Sequence, residues 1–253
     1  GAIKSAFESI SDLLMNKIDI SLLIISKELR KTGEDYTNKQ PHSELAERMK
    51  KRDPGSAPKL GDRVPFVYIM GAKKDRAYEK AEDPIYVLEH NIPIDTNYYL
   101  ENQLSKPLTR LFEPILGEKT KETLLKGDHT LNRAMNTSTV GLLAKYTTKK
   151  LSCIGCKSTM ETTSNTPKRL SNALCDYCDH HFKEFYLKEL NQLNFYQKRC
   201  NLLWTECQRC QGSFLDEIIC TNRDCPIFYM RTKALKDVKS QQQLLKRFEY
   251  INN

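Results

Sequence analysis

Cys153-Ile154-Gly155-Cys156 and, eighteen residues further on, Cys175-Asp176-Tyr177-Cys178 organise the reading of this 253-residue chain. Two cysteines separated by two residues lie on a tight knuckle whose backbone amides point at both sulfurs. Two such knuckles complete a tetrahedral thiolate shell around one Zn²⁺. The interval from Ser158-Thr159-Met160 to Ser171-Asn172-Ala173 is polar and rich in Ser and Thr, so a metal rather than a core is expected to order it. Cys153, Cys156, Cys175 and Cys178 are therefore read as structural metal ligands. His180 and His181 follow directly and could complete a Cys₃His shell, but a full Cys₄ set leaves them no necessary role.

Working outward, a second set appears: Cys207-x2-Cys210 and Cys220-x4-Cys225, with nine residues between the pairs. Zinc and iron–sulfur clusters both accept four thiolates, and spacing does not choose between them. Pro226, directly after Cys225, suits a Cys-Pro cluster ending and equally the first residue of a helix. The nine cysteines are odd in number and all follow residue 150, in a chain whose start lacks a signal-peptide apolar stretch, so a disulfide framework fits poorly. The ninth, Cys200, lies in a helical run and reads as a small buried hydrophobe.

Between the two sets, Phe182, Tyr186, Leu190, Leu193, Cys200 and Leu203 recur at helical spacing, which predicts one long helix. A second should run from Pro226 through Leu235, Val238, Leu244 and Leu245 to Phe248. Residues 146–253 are thus expected to form a helical, cysteine-rich domain with two metal knuckles, slender enough to leave apolar surface for a partner.

Residues 1–145 read differently. Ile10, Leu13, Leu14 and Ile18 have helical spacing, and the dense run Ile20, Leu22, Leu23, Ile24, Ile25 suggests a short strand. Gln40-Pro41-His42-Ser43 begins a charged amphipathic helix that Asp53-Pro54-Gly55 ends. Arg63 to Met70 reads as a strand. Helices follow from Asp83-Pro84 to His90 and from Tyr98 to Leu116, the latter bent at Pro107. Residues 117–150 turn polar and basic (Lys119, Lys121, Lys126, Arg133, Lys145, Lys149, Lys150) and read as a linker. The fold class is mainly α with a small β element.

Forty Lys and Arg against thirty-two Asp and Glu give a net charge of +8, which suits a polyanionic partner. No apolar run reaches the roughly 18 residues of a membrane span, so a soluble intracellular protein is expected. A start without Met suggests a fragment. Two-metal phosphoryl transfer needs clustered carboxylates. No Asp-x-Asp occurs, and Glu34-Asp35, Glu82-Asp83 and Asp216-Glu217 read as loop or first-turn charges. The phosphate loop, the His-Glu-x-x-His motif and the Gly-x-Ser-x-Gly elbow are also missing. The chain is not expected to catalyse a reaction by itself.

Specific segments carry a resemblance: Lys39-Gln40-Pro41-His42-Ser43-Glu44-Leu45-Ala46-Glu47-Arg48-Met49, Gly61-Asp62-Arg63-Val64-Pro65, Glu82-Asp83-Pro84-Ile85-Tyr86-Val87-Leu88-Glu89 and Tyr98-Tyr99-Leu100-Glu101-Asn102-Gln103-Leu104. These resemble the thumb of family-B DNA polymerases, in their eukaryotic replicative branch. Leu203-Trp204-Thr205-Glu206-Cys207-Gln208-Arg209-Cys210 and Cys225-Pro226-Ile227-Phe228-Tyr229-Met230-Arg231 resemble the cysteine-rich end of the same enzymes. The resemblance implies a thumb over residues 1–145 and a C-terminal domain over 146–253. The exonuclease, palm and fingers of a DNA-directed DNA polymerase would lie elsewhere, and the protein would work in the nucleus. It also implies zinc at Cys153, Cys156, Cys175 and Cys178, and a [4Fe–4S] cluster at Cys207, Cys210, Cys220 and Cys225. The implied partners are primer–template DNA, the regulatory second subunit of the holoenzyme and the sliding clamp.

Within the thumb, Lys50, Lys51, Arg52, Lys59 and Arg63 are candidates for gripping duplex phosphates. Clamp-binding peptides typically offer Gln, an aliphatic residue three positions on, and then two aromatics. Gln242, Leu245 and Phe248 fill the first three places, Glu249 takes the fourth and Tyr250 comes one residue late; a plain amphipathic helix face would look the same. Two other classes compete. A free-standing zinc-ribbon nucleic-acid-binding protein would hold its DNA affinity within 150–253. A redox enzyme using the cluster would need an electron-transfer partner and an exposed, cyclable centre, and the sequence offers no flavin or nicotinamide fingerprint to support it.

Overall fold

The structure, a computed structural model, describes residues 1–31, 38–72, 75–125, 151–160 and 171–249. It is mainly helical with a small antiparallel sheet, as the sequence predicts. The chain divides into two compact units, Gly1–Thr137 with Asn222–Tyr229, and Ser138–Thr221 with Met230–Asn253.

The first unit is built around a three-stranded sheet of order β1-β2-β3: Ile25–Glu28, Arg63–Tyr68 and Ala81–Glu82. Ile25 pairs with Phe66 and Glu28 with Arg63, while Val67 pairs with Glu82. Central β2 is buried from Val64 to Tyr68, which is why it reads as a continuous apolar run rather than an alternating one. Helix α1 (Ala2–Leu14) contributes Ile10 and Leu13 to the core, and α2 (Pro41–Arg52) contributes Leu45, Ala46 and Met49. Pro41 at its first turn forgoes an N–H that would lack an intrahelical partner, and Lys50, Lys51 and Arg52 in its last turn suit the negative end of the helix dipole.

Helix α3 (Pro84–His90) begins where the Asp83 side chain accepts the Tyr86 N–H, and it stops at Asn91, whose φ of 52° few residues other than Gly and Asn adopt readily. In α4 (Thr96–Tyr99), the Tyr99 hydroxyl accepts the Tyr68 N–H at 3.0 Å and donates to Leu23 O at 2.8 Å. It thereby ties the sheet to the loop before β1. Burial pushes this phenol well above its ordinary range.

Two expectations change. The irregularity placed at Pro107 comes earlier, as a π-turn over Leu100–Leu104, so that α5 (Ser105–Leu116) takes Pro107 in its first turn. The stretch read as linker begins with structure: after a 3₁₀ turn, α6 (Thr120–Leu125) packs on α1 with Thr120 and Leu124 each 1% exposed. A single buried leucine in a polar stretch gives no periodicity to read. Lys126, Arg133, Lys145, Lys149 and Lys150 lie outside the described residues.

Asn222–Tyr229, from the cysteine-rich tail, belongs to this first unit. Tyr229 is 2% exposed in its core and Phe228 packs against it. Arg223 donates to Asp83 Oδ1 at 3.0 Å, and Arg63 lies 3.9 Å from Asp224. Burial raises the Asp83 carboxyl above the usual range, and Arg223 only partly opposes this.

The second unit carries the knuckles, a short α7 (Asp176–Asp179), the 30-residue α8 (Phe182–Gln211) and most of α9 (Pro226–Lys246). Gln241 ties α9 to α8 by donating to Glu189 O at 3.0 Å and to its carboxylate at 2.7 Å. Cys200 is buried, as expected, and burial raises its thiol.

Candidate metal centre and basic cleft

The first knuckle closes on itself. The Lys157 N–H donates to Cys153 O at 3.0 Å, the Cys153 N–H to Ser158 O at 2.8 Å, and Ser152 pairs with Thr159. Lys157 takes a φ of 62°, the left-handed twist that turns the chain back. At Gly155 an added Cβ would lie 2.8 Å from the Phe185 ring and 3.1 Å from Cys178 Sγ. Only glycine lets the two knuckles approach this closely. In the second knuckle the Cys178 N–H donates to Cys175 O, and the Ile154 N–H to Ala173 O at 2.9 Å joins the two.

The sulfurs of Cys153, Cys156, Cys175 and Cys178 all lie within 4.8 Å of one another, and those of Cys156 and Cys175 are 3.6 Å apart. A tetrahedral Zn²⁺ with bonds of about 2.3 Å sets its sulfurs ~3.8 Å apart, so the cradle fits one such ion. Its electrostatics point the same way. The Ser158 hydroxyl and N–H, with Cys175 beside them, bring the Cys156 thiol down to about 6. Burial opposes ionisation of Cys153, yet the backbone N–H groups of Cys175 and Cys156 carry it below the ordinary thiol range. Burial and then the other three sulfurs push Cys178 up to about 12. Crowded sulfurs cannot all ionise without a counter-charge, and a divalent cation at their centre provides it. His180 and His181 are exposed and outside the cluster; His181 faces Glu184 at 3.4 Å.

The second set is arranged differently. Cys207 and Cys210 ride on the last turns of α8, which runs unbroken to Gln211 and ends at Gly212 with a φ of 80°. No knuckle forms there. Cys220 is exposed in the following loop, its carbonyl accepting from Arg231, and Cys225 precedes α9. Among the described residues, only the first four cysteines are brought within ligating reach of one another. The donor chemistry of the second set, four thiols, suits a cluster.

Four of the five candidate phosphate-gripping residues fall into two groups, and exposed Lys51 is in neither. Lys50 and Lys59 line one cleft of about 460 Å³ beside Leu29 and Ser43. Lys31 completes its basic lining and Glu47 is its acidic member. Lys31, Lys50, Lys51 and Lys59 make no ion pair with a described residue. Arg52 and Arg63 are engaged instead. Arg52 forms a fork to both oxygens of buried Glu82 (2.9 and 2.7 Å) and lies 4.0 Å over the Tyr86 ring. Arg63 donates to Ser26 at its hydroxyl and carbonyl. Sequence reading misses Lys31 because only the fold brings it beside α2.

Gln242, Leu245 and Phe248 line one groove of about 860 Å³ together with Phe182 and Tyr186. Gln242 is exposed, whereas Phe248 is 3% exposed and meets both aromatic rings edge-on. Tyr250 lies outside the described residues.

A helical lobe on a small sheet, joined in sequence to a Cys₄ module, has known counterparts. The family model of DNA polymerase family B matches residues 1–115, and that of the C4-type zinc-finger of DNA polymerase delta matches residues 153–231. The chain belongs to the family-B DNA polymerases. Within them its likeness is to the DNA polymerase delta catalytic subunit, of which it corresponds to a fragment. It is 54% identical to that subunit from Mesocricetus auratus, over 98% of this chain and 22% of the relative. The counterparts from Drosophila melanogaster (55%, over 98% and 22%) and Arabidopsis thaliana (50%, over 99% and 22%) are similar to a comparable degree. The chain thus spans about a fifth of the length of these relatives. No described helix is long and apolar enough to cross a membrane.

Proposed function

We propose that the first unit is the thumb of a replicative DNA polymerase of the nucleus and holds the primer–template duplex, while the second recruits the regulatory subunit and the sliding clamp. The whole subunit would be the DNA-directed DNA polymerase. The observation that carries the thumb reading is the cleft of Lys31, Lys50 and Lys59, three cations that the described protein does not neutralise. Such groups grip backbone phosphates without reading sequence. In the complete subunit, Lys31→Glu, Lys50→Glu and Lys59→Glu together are expected to weaken primer–template binding equally on unrelated sequences. The slope of log affinity against log salt should fall by about 0.9 for each phosphate that is no longer neutralised. Unchanged affinity and slope, in a variant with an unchanged melting temperature, would remove this cleft from the DNA interface.

Partner recruitment is supported by apolar side chains that the second unit leaves exposed: Leu187, Phe195 and Leu202 on α8, and Phe214, Leu215 and Ile219 after it. The clamp reading rests on family likeness and on Gln242 and Leu245 in one groove; Phe248, buried in the knuckle core, would have to leave it to meet a clamp. The metal keeps this surface in one shape.

A [4Fe–4S] cluster at Cys207, Cys210, Cys220 and Cys225 rests on family likeness and on a set of four thiols, two of which, Cys207 and Cys210, share a face of α8 at i,i+3 spacing. Anaerobically purified subunit should contain iron and acid-labile sulfide beside one zinc. Two zincs and no sulfide would replace the cluster with a second zinc site.

A further inference from the structure

We infer that Arg247 and Phe248 form a clasp that holds the two cysteine knuckles in ligating register, with Arg247 as a positioning residue for the metal. The inference rests on the zinc reading of the first four cysteines, but both residues lie beyond the stretch that the zinc-finger family matches.

The Arg247 guanidinium donates from Nη2 to Ser152 O at 2.7 Å and to Asn172 O at 2.9 Å, and from Nε to Asn172 O at 3.3 Å. Ser152 immediately precedes the first ligand, Cys153, and Asn172 stands three residues before the third, Cys175. One planar fork therefore bridges the lead-in strands of both knuckles, which are otherwise joined in the backbone by the bond from Ile154 to Ala173. Lysine has a single ammonium on a flexible stem and cannot reproduce this rigid two-carbonyl bridge.

Phe248 anchors the fork. It is buried in the same small core as Cys153, Ile154, Met160, Leu174 and Cys178. After α9 ends at Lys246, the chain tightens, with the Arg247 N–H donating to Leu244 O and the Phe248 N–H to Leu245 O. From this turn the guanidinium reaches the knuckle carbonyls and the ring enters the knuckle core. Zinc ligands depend on such outer contacts for their orientation, and removing one typically costs about 10–100-fold in metal affinity. The site would thus be completed from a point 95 residues away in sequence from Ser152.

The test measures zinc release from the complete subunit to a chromogenic chelator, for the parent and for Arg247→Ala, Arg247→Lys and Phe248→Ala. Arg247→Ala and Phe248→Ala should release the zinc of the first site at least about tenfold faster, with Arg247→Lys recovering only part of the loss. Hydrogen exchange should accelerate at residues 152–158 and not in β2. Should Arg247→Ala fail to fold, Arg247→Lys alone decides by the same rate and exchange readouts. Parent-like release and exchange in the folded variants would overturn the clasp. A parent protein that carries no zinc at Cys153, Cys156, Cys175 and Cys178 would instead overturn the zinc reading beneath it.

Discussion

A Cys153→Ser variant is expected to lose the zinc of the first site and, with it, the ordered backbone of residues 151–160 and 171–179, while the first unit keeps its own melting transition. Cys153 is completely buried, and its sulfur accepts the Cys175 N–H at 3.3 Å, so it serves the second knuckle as well as the metal. A structural zinc contributes on the order of 10–16 kcal/mol to small domains at neutral pH, and the packed residues around it are too few to replace that. Cys200→Ala provides the contrast: the side chain is buried but not ligating, and its loss should cost about 1 kcal/mol. Zinc stoichiometry together with limited proteolysis reads both. A Cys153→Ser protein that retained the parent's full zinc stoichiometry and a protease-resistant second unit would show that these sulfurs do not organise the fold.

Tyr229→Ala should destabilise the first unit by about 3–5 kcal/mol, the range for deleting a buried aromatic side chain. The residue belongs in sequence to the cysteine-rich tail, yet only 2% of it is exposed and it packs in the core that contains Phe66, Val67 and Leu88. The hydroxyl adds nothing favourable: Tyr229 Oη is buried without a hydrogen-bond partner among the described residues, so Tyr229→Phe should be neutral or stabilising. Denaturant unfolding, followed by a probe in β2, distinguishes the two substitutions. Equal small losses for both would mean that Asn222–Tyr229 is only laid against the first unit and not built into it.

Much of this architecture is legible from short-range chemistry. The Cys-x2-Cys spacing specifies knuckles in the first set, Pro41 and Asp83-Pro84 mark helix starts, and the apolar run from Val64 to Tyr68 reads as a buried strand. What escapes reading is long-range. Lys31 reaches the cleft of Lys50 and Lys59 only through the sheet, and Arg247 reaches Ser152 only because the knuckles and α9 share one core. Arg52 reads as a free cation on a basic helix end, but Glu82, thirty residues on, holds it. At Cys207 and Cys210 the x2 interval that makes a knuckle elsewhere is three-residue spacing on a helix, and α8 continues through both.

The π-turn at Leu100–Leu104 acts as a phase shift in the winding of the chain. It inserts one extra residue, equivalent to about 100° of rotation, and α5 emerges with Phe112 turned inward and Leu111 and Ile115 facing out. Shortening that turn by one residue would give smoother winding and a misdirected helix. The number of residues in this turn is therefore a structural constraint in its own right.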